Sequence, residues 1–198
     1  MGVTIDDIKK LKELTGIGLT DAKKALVEAD GDFDKALEAM RKKGITKAEK
    51  KGDRETREGL IESYVHSDRI GVVVEVNCET DFVARLPEFK EFAHQIAMQI
   101  AAMAPKYSTI EDVPAADYDA KKQELLESDA LKSKPADMAD KIVEGQLKKH
   151  FAELVLSEQT FVLDDSMTVG QRIKEQIAKS GENIRVSQFK RIELGVTE

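Results

Sequence analysis

Apolar residues recur at helical spacing through the first 45 positions and at every second position from residue 60, so the chain changes character partway along. Thr4 is expected to cap a first helix in which Ile5, Ile8, Leu11 and Leu14 recur every three residues up to Gly16. Thr20 is expected to cap a second, with Ala22, Ala25, Leu26 and Ala29 inward and Asp30-Gly31 as its stop. Asp32 caps a third, where Phe33, Ala36, Leu37 and Met40 share a face and Gly44 stands at the C-terminal position. Residues 1–45 thus read as a three-helix module, marginal in isolation at that length.

From Arg41 to Glu58 the chain has eight basic and four acidic residues and one large aliphatic, Ile45. Such a stretch supplies no core, and residues 46–58 read as a basic, solvated linker or exposed helix. It is also the segment that would touch RNA, although no aromatic side chain is interleaved for base stacking.

Residues 59–198 read as a core domain. Leu60 to His66 and Ile70 to Asn77 form an expected hairpin closed by Ser67-Asp68-Arg69, with Ile70, Val72, Val74 and Val76 on one face. Pro87 starts a helix carrying Phe89, Phe92, Ala93, Ile96, Ile100 and Met103 toward the sheet, and Pro105 stops it. The acidic stretch from Glu111 to Asp140 reads as a connection followed by two helices, about 115–129 and 135–155, broken at Ser133-Lys134-Pro135 as a helical hairpin. Thr168 caps a further helix ending at Ser180-Gly181, and a last strand, Asn183 to Leu194, alternates partly through Ile184, Val186, Ile192 and Leu194. Strands and helices that do not alternate regularly imply an α+β fold with a small antiparallel sheet packed by helices.

Composition narrows the function classes. With 31 Lys and Arg against 38 Asp and Glu the net charge is −7, which removes a uniformly basic nucleic-acid surface; no specific nucleic acid is expected as partner. The single Cys78 excludes an intrachain disulfide and suits a reducing compartment. Met1 to Gly16 contains no apolar signal core, and the longest mostly apolar helical run, Phe92 to Ala104, is too short to span a bilayer. The expectation is a soluble, cytoplasmic protein with no membrane association.

Candidate chemistry is sparse. His66, His94 and His150 show no ligand spacing, so no metal or other cofactor is expected. A Cys78 nucleophile with His66 as base is the one pairing to weigh, but if position 66 pairs with 70, Cys78 lies opposite position 58, about 27 Å along the strand from His66. A cysteine hydrolase is therefore not expected. Gly16-Ile17-Gly18 lacks a preceding strand and reads as a helix–helix turn; its neighbours Ile17 and Leu19 either close the small bundle or form an exposed docking patch.

The informative segment is Asn77 to Arg85. Alternation stops at Val76 and the next helix starts near Pro87, so Asp81 and Phe82 fall in a loop or at the end of a turn. Two arrangements fit. Phe82 packs back as a plug between sheet and helix with Asp81 as a cap, or the carboxylate and ring face outward together.

This block also carries a family resemblance. Ile70 to Arg85, with Thr80-Asp81-Phe82-Val83 at its centre, resembles the bacterial elongation factor Ts family, as do Thr15 to Gly18 with Asp21 to Leu26, Lys141 to Gly145, and Gln159 to Val162. The resemblance covers essentially the whole chain and fits the short, single-core form. It implies a guanine-nucleotide exchange factor that promotes GDP release from elongation factor Tu, with Asp81 and Phe82 as a wedge beside the magnesium site of that GTPase and Thr80 and Val83 as its frame.

The resemblance further implies that the N-terminal module is similar to a ubiquitin-associated domain and docks on the GTPase through its first turn and second-helix start. Family members usually carry Arg where this chain has Lys12, and Met-Met where it has Leu19-Thr20. Leu19 and, less closely, Lys12 therefore take the docking role, and Thr20 that of an N-cap. Short-form members pair as homodimers through the core sheet, and the last strand here has no Cys, so such a dimer is expected to be non-covalent. The alternative function is a ribosome- or RNA-associated helical binding module.

Overall fold

The protein is described from a computed structural model, which covers residues 3–128 and 136–196. Thr4 and Asp7 cap each other at the start of helix α1 (Ile5–Thr15), and Gly16 ends it in the left-handed region at φ 64°. Helix α2 (Leu19–Glu28) begins one residue earlier than its expected cap. Gly18 is its N-cap, and Thr20 lies inside the first turn. Helix α3 (Phe33–Glu49), capped by Asp32, runs straight past Gly44. A Cβ at Gly44 would stand 3.4 Å from the Ala178 Cβ, so the glycine is a close-packing position against helix α8 (Val169–Ser180) and not a stop.

Residues 46–49 of the expected linker are consequently helical, and Ala48 is buried in the main core. Arg41 pairs with Glu175 at 3.0 Å, Lys174 with Glu49 at 2.8 Å, and Lys51 donates to the Gly181 carbonyl. Two of the basic side chains, Arg41 and Lys51, therefore help fasten the module to α8 and the glycine that ends it. The module keeps its own small core of Leu11, Ile17, Ala22, Leu26, Ala36 and Met40.

The main core is α+β. Strands β1 (Glu58–His66), β2 (Ile70–Cys78) and β5 (Ile184–Glu193) form an antiparallel sheet in the order β1-β2-β5. Val72, Val74 and Val76 face helix α5 (Pro87–Met103), whose Phe89, Phe92, Ala93, Ile96 and Ile100 are fully buried. Met103, expected on the same face, is exposed at the helix end.

Strand β5 departs from simple alternation. Glu75 pairs with Gln188 but Val76 with Val186, so Ser187 is the extra residue of a bulge. Before it Ile184 and Val186 point inward; after it the inward residues are Phe189 and Arg191, whose Nε donates to the Ala101 carbonyl at 3.2 Å. Ile192 and Leu194 are turned out, Ile192 being 72% exposed.

Helices α6 (Ala115–Leu126) and α7 (Ala136–Leu154) pack as the expected helical hairpin, with the Tyr118 and Phe151 rings stacked 5.3 Å apart. The predicted break at Ser133-Lys134-Pro135 lies outside the described residues. A small hairpin of β3 (Thr160–Phe161) and β4 (Asp164–Thr168), which the sequence pattern does not announce, leads into α8. Among the described residues no helix is long and apolar enough to cross a membrane.

Candidate functional site

Strand β2 ends at Cys78, and a short helix α4 (Asp81–Ala84) fills the space before α5, where the sequence pattern suggests a loop. Its Val83 and Ala84 are buried against the core, whereas Phe82 points away from it. The ring is 78% exposed, so it is not a plug between sheet and helix. Carrying a large apolar ring into water has no stabilising value for the isolated chain, which marks it as a surface that another molecule can bury.

Asp81 lies in the first turn of α4 and pairs with Arg85 at 2.9 Å. Both groups are solvated, so the pair holds Asp81 only weakly. Thr80 is the N-cap of α4, yet its side chain makes no capping bond; its hydroxyl instead donates to Glu182 at 2.6 Å. The backbone N–H of Thr80 and that of Glu79 donate to the same carboxylate at 3.0 and 3.1 Å. Glu182 is thus a site residue that sequence reasoning missed. It follows the α8 stop by one residue, and nothing local signals a partner 102 positions away.

The Glu79 carboxylate answers in the other direction, accepting from the Asn183 N–H at 2.6 Å, with Arg54 at 3.4 Å. The Asn183 side chain donates to the carbonyls of Gly52 and Arg54. The turn between α8 and β5 therefore holds both the entry to α4 and the chain leaving α3.

Cys78 is buried beneath this segment, its Sγ 3.1 Å from the Thr80 carbonyl. Burial, with the nearby Glu182 charge adding to it, pushes the thiol up to about 11. That is the opposite of the depressed value a nucleophilic cysteine needs. The expected strand register holds: Glu58 pairs with Cys78 and His66 with Ile70. His66 and Cys78 are accordingly at opposite ends of the hairpin, and His66 Nδ1 bonds Tyr64 Oη at 2.9 Å. Among the described residues no group of three or more His, Cys, Asp or Glu is placed to hold a metal ion.

In the module, Ile17 and Leu19 separate. Ile17 is buried in the small core, while Leu19 is 51% exposed and Lys12 is exposed on α1. The α1–α2 turn lies beside the α4 region: Glu13 and Gly16 line a cleft of about 290 Å³ together with Val83, Leu86 and Lys179. The module turn and Val83, at the end of the Thr80–Val83 segment, thus border one cleft.

Residues 35–196 match the model of the family described as elongation factor TS. Elongation factor Ts of Thermotoga petrophila is 54% identical to this chain over 196 residues, 98% of each protein. That of Fervidobacterium nodosum is 50% identical over 196 residues, covering 98% of this chain and all of the relative. The chloroplastic elongation factor Ts of Rhodomonas salina is 47% identical over 195 residues, 98% of this chain and 89% of the relative. The class is that of the translation elongation factors. Within it, the chain belongs to the elongation factor Ts family.

Proposed function

We propose that the protein is a cytoplasmic, non-enzymatic guanine-nucleotide exchange factor that accelerates GDP release from elongation factor Tu. The observation that carries this reading is Phe82, an exposed ring on a helix whose other face is buried, in a chain of this family. Phe82 enters the GTPase beside its magnesium site, Asp81 leaves its weak pair with Arg85 to meet the displaced groups, and Thr80 and Val83 hold the frame.

Magnitudes support the mechanism. Burying a Phe ring is worth about 1.5–3 kcal/mol. A tenfold loss of nucleotide affinity requires about 1.4 kcal/mol. One ring can therefore weaken GDP binding by about one to two orders of magnitude if its burial is coupled to displacement of the ion. Coupling is reciprocal, so GDP and the factor each loosen the other, and arriving GTP releases the factor.

The N-terminal module docks on the same GTPase through Leu19, with Lys12 nearby, as a domain similar to a ubiquitin-associated domain. A second copy of the chain covers the outer face of the sheet, where Ile61, Val65, Val73 and Ile192 are exposed together, and pairs without a disulfide. Stopped-flow release of a fluorescent GDP analogue from elongation factor Tu tests the wedge. Phe82→Ala and Asp81→Ala are expected to lose most of the acceleration; both variants accelerating like the unaltered protein would refute it.

A further inference from the structure

We infer that Glu182 is the positioning residue of the exchange wedge, an inference that rests on the wedge reading of Asp81 and Phe82. A wedge displaces groups in its partner only if it arrives already shaped. Otherwise part of its binding free energy goes into ordering its own loop.

Helix α4 has four residues, too few to be stable by itself. Its C-terminal side is fixed by the burial of Val83 and Ala84 and by the bond from Leu86 N–H to the Val83 carbonyl at 3.1 Å. Its N-terminal side has no side-chain cap. There the Glu182 carboxylate takes both successive backbone N–H groups, Glu79 and Thr80, and the hydroxyl that would otherwise cap the helix. Hydrogen bonds to an ionised acceptor are roughly twice as strong as neutral ones. Glu79 returns the contact through Asn183 N–H, so the clasp closes from both sides.

The clasp reaches the module as well. Glu182 and Asn183 follow Gly181, whose carbonyl accepts from Lys51, and Asn183 holds the carbonyls of Gly52 and Arg54. The turn that shapes the wedge therefore also fixes the chain leaving α3.

Loss of the carboxylate should leave the wedge chemistry intact once it is inserted while lowering the fraction of free molecules with a competent wedge. Apparent affinity falls by that fraction. In the GDP-release assay with the factor in excess, Glu182→Ala is expected to raise the half-saturating concentration about tenfold with the plateau rate within about twofold of the unaltered protein. Glu182→Gln, which keeps one acceptor oxygen, should fall between the two. Phe82→Ala should lower the plateau instead.

Amide hydrogen exchange on the free factor supplies a second readout. Glu182→Ala should speed exchange at Glu79 and Thr80 while Val74 and Ile96 keep their protection. A half-saturating concentration unchanged within about twofold would overturn the assignment. So would protection lost equally across the sheet, which makes Glu182 a residue of the fold alone. If Phe82→Ala released GDP like the unaltered protein the wedge reading would fail, and the amide readout would still judge the clasp.

Discussion

Gly16 lies against Lys179 so closely that a Cβ on the glycine would come 2.6 Å from the Lys179 Cα. The two residues belong to the module and to α8, so their approach sets how near the α1–α2 turn sits to the core. Gly16 also needs φ 64°, which other residues adopt at a cost. Gly16→Ala should therefore cost about 2 kcal/mol or more, strain and overpacking together, read as a lowered urea midpoint. Unchanged stability would mean that the module does not rest on α8 in solution.

Two phenylalanines seven positions apart should behave as opposites. Phe82→Ala removes an exposed ring and should change stability by no more than about 0.5 kcal/mol. Phe89→Ala empties a fully buried site and should cost about 3–5 kcal/mol. Paired denaturation curves check both, and a large loss for Phe82→Ala would show that the ring is buried in solution.

Cys78 makes stability fall at alkaline pH. Its folded value, about 11, lies above the ordinary thiol value of 9.0. As pH rises past 9 the unfolded chain sheds the thiol proton while the native protein keeps it. Unfolding then releases protons, and the contribution, complete below about 9, disappears as pH approaches 11. Unfolding free energies measured from pH 8 to 10.5 should decline less steeply for Cys78→Ala; equal slopes would count against the shift. A thiol reagent at pH 8 should label the native protein slowly and the unfolded one fast.

Val73 occupies the middle of the open sheet face, half exposed and paired with Ser63 and Lys190. Val73→Glu should leave the monomer folded, because the side chain already meets water, yet place two like charges across the proposed dimer. Sedimentation should change from dimer to monomer. A dimer that survives the change uses another surface.

Much of this was legible in the chain. The β1–β2 register followed from alternation and a three-residue turn, and α8 from Thr168 and Gly181, because those signals are local. Errors came where a distant contact decided the outcome. Gly44 reads as a stop until Ala178 packs on it. Asp81 reads as a cap in one of the two arrangements, but it lies inside the first turn of α4 and pairs with Arg85, while the Thr80 hydroxyl goes to Glu182. The Thr80–Val83 segment stood out by sequence, whereas Glu182 and the helical character of α4 depend on packing that no spacing rule encodes.

The bulge at Ser187 assigns chemistry to surfaces by counting. If β5 kept all its residues in strict alternation, with no bulge, Ile192 would turn toward α5 and Arg191 toward water, and the sheet would offer a cationic rim where it now offers an aliphatic one. The adhesiveness of that face is thus a property of parity rather than of composition. Deleting Ser187 removes only the extra residue and leaves Val186 opposite Val76 and Gln188 opposite Glu75, so self-association of that variant should persist, and its loss would contradict the assignment.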